Sequence, residues 1–220
     1  MRLLQSHAAK LVFALSLACL FAPASARAQN AYITNRGDNT VSVIDTTSNM
    51  VAATIAVGSL PQGVAVTPDG STVYVANDGD NTVSVIDTAS NTVTGVITVG
   101  TIPQGVAVTP DGSLVYVANS IDNTVSVIPT SVNMVTGVIT VGNRPLGLAV
   151  TPDGSTVYVA NSIDNTVSVI PTSVNMVTGA ILGFSQPIAF GVFIGPPPVP
   201  ATPPSGTACN GCSTAPSRAR

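Results

Sequence analysis

Beyond its first thirty residues the chain is organised by a two-residue alternation. The runs "GVAVT", "TVYVAN", "TVSVI" and "VTGVITV" place Val and Ile at every second position, with Ala, Ser, Gly and Thr between them. Period-two alternation in β-branched residues predicts short strands, here with a face of large side chains and a face of small ones. Such strands suit a sheet that is covered on both sides.

The four runs recur as a set. Tyr32, Tyr74, Tyr116 and Tyr158 are 42 residues apart, as are Pro61, Pro103, Pro145 and Pro187. Tyr116 to Gly137, "YVANSIDNTVSVIPTSVNMVTG", returns unchanged at Tyr158 to Gly179. One structural unit has been copied.

The joints between runs are turn sequences. "TPDG" at Thr67 to Gly70 offers Pro where φ near −65° is wanted and Gly where φ must be positive. "GDNT" at Gly79 to Thr82 and "TASN" at Thr88 to Asn91 offer side chains expected to cap their own turns. The longer link "VGTIPQG", Val99 to Gly105, suits a step from one sheet to the next. Four antiparallel strands in about 42 residues, with a turn every eight to twelve, is the pattern of a propeller blade, so the fold class expected is an all-β propeller of four-stranded antiparallel blades.

The phrases "YITN" and "YVAN", each followed by "DNTVSVI", then by "VG", a proline and "GVAVTPDG", resemble the YVTN-repeat family of β-propellers. The resemblance runs from Tyr32 to about Pro196. It implies a propeller found on archaeal cell surfaces and in exported bacterial proteins, with surface adhesion and protein interaction as the expected roles.

Family members usually close with about seven blades, and this chain supplies fewer. Three complete sets begin near Val64, Val106 and Leu148, and a three-strand set covers Tyr32 to Val57. The segment "PIAFGVFIGP", Pro187 to Pro196, is in register to act as a first strand. It is expected to complete the N-terminal set, which gives four blades closed jointly by the two chain ends. Two alternatives stand beside this: a homodimer sharing one eight-bladed ring, and a truncated relic of a larger wheel.

Outside the repeats, Leu11 to Ala22 is apolar, follows Arg2 and Lys10, and precedes the small-residue site "ARA" at Ala26 to Ala28. About 12 apolar residues fit a cleaved export leader and not a bilayer span. Cys19 could accept lipid, but Ser16 stands where a lipoprotein signal has Leu. Residues 1–28 are therefore read as a signal peptide, 29–196 as the propeller, with repeats starting at 32, 74, 116 and 158, and 197–220 as a proline-rich disordered tail. The location expected is exported: periplasmic, cell-surface or extracellular.

After residue 28 the chain has four Arg against ten Asp, and no Lys, Glu or His. An excess of six negative charges disfavours nucleic acid and acidic membranes as partners. Without His or Lys, a serine nucleophile lacks its ordinary base. The chain is therefore read as no enzyme, with no cofactor and no metal. Some propellers are lactonases or carry haem or copper, and a degenerate lactonase-like hydrolase is the remaining catalytic alternative. The turn "NDGDN", Asn77 to Asn81, is spaced loosely like a calcium loop but lacks the bidentate carboxylate such loops end on.

A residue repeated in every blade serves the blade, so candidate sites are sought where the copies disagree. The turns between second and third strands read Arg36-Gly37, Asp78-Gly79, Ser120-Ile121 and Ser162-Ile163. The links read Ser59-Leu60, Thr101-Ile102, Asn143-Arg144 and Ser185-Gln186. In an up-and-down blade these share one rim, whereas "TPDG" is fixed at the other. Arg36, Asp78, Ile121, Ile163, Leu60, Ile102, Arg144 and Gln186 are thus the candidate binding residues, since loops on a rigid scaffold carry function. Drift of exposed turns is the plain alternative. The function expected is a non-enzymatic module binding protein or glycan, with a purely structural surface spacer as the alternative.

Cys209 and Cys212 form "CNGC" beyond the run "PPPVPATPPSG". No further His or Cys follows the leader to complete a zinc site, and in an oxidising compartment a local disulfide is expected. Intermolecular pairing is the alternative.

Overall fold

The structure is a computed structural model and describes residues 30–189. Fifteen strands and no helix occupy that range. The strands β1 (Asn30–Asn35), β2 (Thr40–Asp45) and β3 (Met50–Ala56) form a three-stranded antiparallel sheet. Three four-stranded antiparallel sheets follow. They are β4 (Pro61–Val66), β5 (Thr72–Asn77), β6 (Thr82–Asp87) and β7 (Thr92–Thr98); β8 (Pro103–Val108), β9 (Leu114–Asn119), β10 (Thr124–Pro129) and β11 (Gly137–Thr140); and β12 (Pro145–Val150), β13 (Thr156–Asn161), β14 (Thr166–Pro171) and β15 (Gly179–Ile181). Within each sheet the spatial order is the sequence order, so every connection is a hairpin.

Register is the same in each copy. Tyr32 pairs with Val43, Tyr74 with Val85, Tyr116 with Val127 and Tyr158 with Val169. A one-residue slip would exchange the two faces of the sheet, and both faces are buried in the middle of the molecule. The blade architecture inferred from the repeat is the observed one.

Neighbouring sheets stack face against face. Tyr74, Ala76, Val83, Val85 and Ile97 of one blade pack on Val106, Val115, Val117 and Ile128 of the next. Tyr116, Ala118, Val125, Val127 and Ile139 meet Leu148, Val157, Val159 and Ile170 in the same way. Tyr32, Val41, Val43 and Ile55 meet Val73, Val75 and Ile86. Each fully buried Val, Ile or Leu contributes about 1.5–3 kcal/mol relative to exposure, so these interfaces supply most of the driving force. The expected division into a large-residue and a small-residue face is too simple. In β5 the pair Val73/Val75 faces one neighbour while Tyr74 faces the other, and both sides are filled by bulky groups.

At the inner edge the first strands of successive blades approach so closely that only glycine fits. A Cβ on Gly105 would lie 2.8 Å from the Leu146 carbonyl oxygen, and one on Gly63 would strike that of Gln104. Gly147 faces the backbone of Ala189 in the same manner, so Pro187–Ala189 occupies, beside β12, the place that β8 occupies beside β4.

Two features depart from the repeat. The outermost strand spans seven residues in β7 but four in β11 and three in β15. Where Asp45 and Asp87 cap their turns, accepting from the amides of Thr47 and Ser48 or of Ser90, the later blades carry Pro129 and Pro171. Proline offers neither that carboxylate nor an N–H, and pairing of the outer strand begins only at Val127 with Gly137.

The second departure concerns closure. β1 is an edge strand among the described residues, and no apolar cluster joins the last sheet to the first. Of the segment expected to complete the first sheet, 190–196 lie outside the described residues. So do the leader read at 1–28, the tail at 197–220 and the pair Cys209 and Cys212.

Candidate functional site

The rim formed by the β5–β6 turn and its equivalents is bonded directly to the links between blades. Asp78 N donates to Leu60 O at 3.2 Å, Ser120 N to Ile102 O at 3.0 Å and Ser162 N to Arg144 O at 3.0 Å. Ile121 N reaches Thr101 O and Ile163 N reaches Asn143 O. Asp78, Leu60, Ile102, Ile121, Arg144 and Ile163 therefore lie on backbone that is hydrogen-bonded across turn and link.

The repeated Asp-Asn of these turns was expected to cap its own turn and instead reaches the links. Asn39, Asn81, Asn123 and Asn165 each accept, through Oδ1, the amide of Leu60, Ile102, Arg144 and Gln186, at 2.8, 2.9, 2.8 and 2.6 Å. Asp80, Asp122 and Asp164 accept the amides of Ser59, Thr101 and Asn143. The link is thus gripped by the Asn of the blade it leaves and the Asp of the blade it enters.

These grips hold four candidate residues in left-handed backbone, at φ 52° for Leu60, 55° for Ile102, 55° for Arg144 and 44° for Gln186. Non-glycine residues rarely adopt that region, and a β-branched one such as Ile102 least of all. Such strain persists where the surroundings over-determine it, which the paired Asn and Asp bonds do at Leu60, Ile102 and Arg144, and the Asn165 bond does at Gln186.

Two groups of side chains gather on this rim. In the first, Arg36 Nη2 lies 3.3 Å from Asp78 Oδ2, and Gln104 Nε2 donates to the same oxygen at 3.1 Å. The Asp78 side chain is 10% exposed and Arg36 54% exposed, so the carboxylate is compensated from outside. In the second, Arg144, Ile163 and Gln186 line a recess of about 280 Å³ with Leu146, Ser162, Asn165 and Ile188. Ile121 and Ile163 stand well exposed, at 58% and 62%. Leu60 and Ile102 are half-buried and act through their backbone. In the loosely calcium-like turn, Asp78 and Asp80 already serve Arg36, Gln104 and the Ser59 amide.

The sequence reading missed the opposite rim. Two recesses of about 390 and 420 Å³ lie there between adjacent blades, the first lined by Thr67, Asp69, Tyr74, Asp111 and Asn133, the second by Asp111, Leu114, Asp153 and Thr172. Invariance of "TPDG" marked that rim as scaffold and hid the gaps between the turns. Its carboxylates are committed. Asp69, Asp111 and Asp153 are pulled down to about 2, foremost by the hydroxyls of Thr67, Thr109 and Thr151 and then by the Ser71, Ser113 and Ser155 amides. A carboxylate with so low a pKa is a poor proton acceptor near neutrality. Among the described residues no cluster of three or more metal-ligating side chains occurs.

The asparagine ending each "YVAN" is likewise scaffold. Asn77 Nδ2 donates to Thr82 Oγ1 and Ser84 Oγ, as Asn119 and Asn161 do in their blades, tying second strand to third.

The model of YNCE-like beta-propellers matches residues 103–193. The chain is similar to the hydrazine synthase of Kuenenia stuttgartiensis, with 28% identity and a TM-score of 0.69 over 71% of this chain and 46% of that one. It is similar in fold to a functionally unknown protein from Desulfotomaculum acetoxidans DSM 771, with 22% identity and a TM-score of 0.61 over 73% and 56%. A 39-residue stretch is 56% identical to PE-PGRS family protein PE_PGRS18 of Mycobacterium tuberculosis (strain ATCC 25618 / H37Rv), covering 18% of this chain and 8% of that protein. The chain therefore spans about half or less of the length of these three proteins. These matches agree with the YVTN-type repeat: the fold is a β-propeller one, built from four-stranded antiparallel blades.

Proposed function

We propose that this chain is an exported, non-enzymatic binding module that captures a protein or glycan through the rim carrying Arg36, Asp78, Ile121, Arg144, Ile163 and Gln186. One observation carries the reading: the copies differ at a rim whose backbone is locked between turn and link. Rigid loops lose little entropy on binding, which favours recognition. The mixture of charged groups with the exposed aliphatics Ile121 and Ile163 suits a protein partner best, since desolvated apolar anchors with a polar surround make effective interfaces. Export is supported by the leader-like segment at residues 1–28, and a non-catalytic role by the lack of His, Glu and Lys after it.

The test is capture by the immobilised chain, from glycan arrays and from cell-surface and secreted protein extracts. Arg36→Ala and Arg144→Ala should each weaken capture about tenfold, as removal of an interfacial arginine commonly does. Ser113→Ala, on the opposite rim, should leave it unchanged. Capture that survives both arginine changes would overturn the proposal.

A further inference from the structure

The two end faces of the arc are built as halves of the same blade-to-blade interface. Each internal blade offers a trailing face to its successor: Tyr74, Val83, Val85 and Ile97 in one, Tyr116, Val125, Val127 and Ile139 in the next. The last blade offers Tyr158, Val167, Val169 and Ile181 at the same repeat positions, but there the first three are only half-buried and Ile181 is 45% exposed. Each internal blade likewise offers a leading face, such as Val75, Ile86 and Val93. The first blade offers Ile33, Ile44 and Val51, with Ile33 50% and Val51 60% exposed. Among the described residues there is thus one uncovered leading face and one uncovered trailing face, each of the type that buries the other elsewhere in the molecule.

We propose that these two faces meet between two copies of this chain, the trailing face of each covering the leading face of the other, to close one ring. A second copy is the occupant favoured because the internal interfaces supply the template for most of the apolar positions and for a specific hydrogen bond. In those interfaces Tyr74 Oη donates to Asn133 Oδ1 and Tyr116 Oη to Asn175 Oδ1, both at 2.7 Å and 59 residues apart. Continuing the repeat, Tyr158 falls opposite Asn49 of a following first blade, and Asn49 holds the same left-handed backbone as Asn133 and Asn175, at φ 56°. The edge of β1 is unpaired among the described residues, while Pro187–Ala189 already stands beside β12 where a following blade's first strand belongs. That segment would bring the start of the missing strand to the partner's three-stranded sheet. A head-to-tail contact made twice closes under a twofold axis and leaves no end face uncovered, and eight blades lie within the range that propellers reach.

The seam departs from the internal interfaces at several points: Ala31 stands where the internal leading faces have the fully buried Val73, Val115 and Val157, and Gly183 where the links have Val57, Val99 and Val141. Phe184 stands where the internal links have Gly58, Gly100 and Gly142, whose Cβ positions crowd the Asn and Asp of the blade that follows. The exposed Arg36-Gly37-Asp38 turn has to shift to admit the ring, so the seam is weaker than its template.

Light scattering on the purified chain under reducing conditions, which exclude cross-linking through Cys209 or Cys212, tests this. The expected mass is that of two chains. Ile33→Lys and Val169→Lys should each give monomers with an unchanged circular dichroism spectrum, and mixing the two variants should restore a 1:1 pair through their one intact seam. Val138→Lys, on an outer strand where Val138 is 63% exposed, should remain dimeric, and Phe184→Gly should dissociate at a lower concentration than the parent. A monomeric parent, an open-ended series of larger masses, or Ile33→Lys and Val169→Lys variants that stay dimeric would each overturn the proposal.

Discussion

Asn81 Oδ1 accepts the amide of Ile102 at 2.9 Å, and both residues lie in left-handed backbone, at φ 57° and 55°. The two are 21 residues apart and belong to different stages of the repeat, a hairpin turn and the link out of that blade. Each stabilises the other's unusual conformation, because the Asn tolerates positive φ and its side chain fixes an amide that would otherwise turn away.

Replacing Asn81 with Ala should therefore cost more than one hydrogen bond. The Ile102 amide loses its acceptor, and alanine at φ 57° carries the left-handed penalty, together about 2–3 kcal/mol. At about 2–4 °C per kcal/mol for a chain of this size, the thermal midpoint should fall by about 4–12 °C. Asn81→Gly, which keeps the backbone but not the acceptor, should fall between alanine and the parent. Thermal unfolding followed by circular dichroism checks the order.

The "TPDG" turns set the response to acid. The hydroxyls of Thr67, Thr109 and Thr151 chiefly, with the serine amides, hold Asp69, Asp111 and Asp153 near 2 against an ordinary 3.8. Folded-state values below unfolded ones mean stability that is present above about pH 4 and lost as pH falls from there towards 2. The thermal midpoint should be flat above pH 5 and should decline across that window. Thr109→Val, which removes the foremost donor to Asp111, should raise that carboxyl's titration point in a carbon-detected NMR titration and make the decline shallower.

Strand positions and the turns between them were legible, because alternation and turn residues act locally and the period repeats them. The link grips were not. "GDNT" reads as a self-capping turn, and nothing local says that Asp80 and Asn81 bond residues 21 positions earlier and later. The bond from Tyr116 to Asn175 is invisible for the same reason, since it depends on how two sheets stack. Of the candidate site, the placement of Arg144, Ile163 and Gln186 on one rim follows from the repeat, whereas the Arg36–Asp78–Gln104 cluster joins three consecutive sheets and required the packing to be known.

Close approach of the inner strands makes Gly105 an exacting position. A Cβ there would sit 2.8 Å from Leu146 O and 3.0 Å from Gly147 Cα, both backbone atoms that cannot rotate aside. Gly105→Ala should separate two blades locally and cost about 1–3 kcal/mol, the usual penalty of overpacking. Gly179→Ala, in an outer strand with nothing within 4 Å, should be tolerated. Urea unfolding of the two variants, compared at equal slope, distinguishes them.

Tyr116 links stability to alkaline pH. Its ring is buried between two blades, its hydroxyl donates to Asn175, and burial followed by the nearby Asp111 charge raises its pKa to about 12. An unfolded tyrosine ionises near 10, so between pH 10 and 12 the unfolded chain gives up a proton that the folded chain retains. The associated stability is complete below pH 10 and is lost as pH rises through 12. Tyr116→Phe should reduce this alkaline loss and, by leaving the Asn175 oxygen without its donor, should lower stability at neutral pH by about 1–2 kcal/mol. Tyr32→Phe is the matching control, because Asn91 Oδ1, at the corresponding position in the first interface, is buried without a partner already. Absorbance titration of phenolate ionisation alongside thermal unfolding at pH 7 and pH 11 should show a neutral-pH loss for Tyr116→Phe and almost none for Tyr32→Phe. Equal losses at pH 7 would mean that the hydroxyl bond contributes nothing and that the tyrosine acts only through its ring.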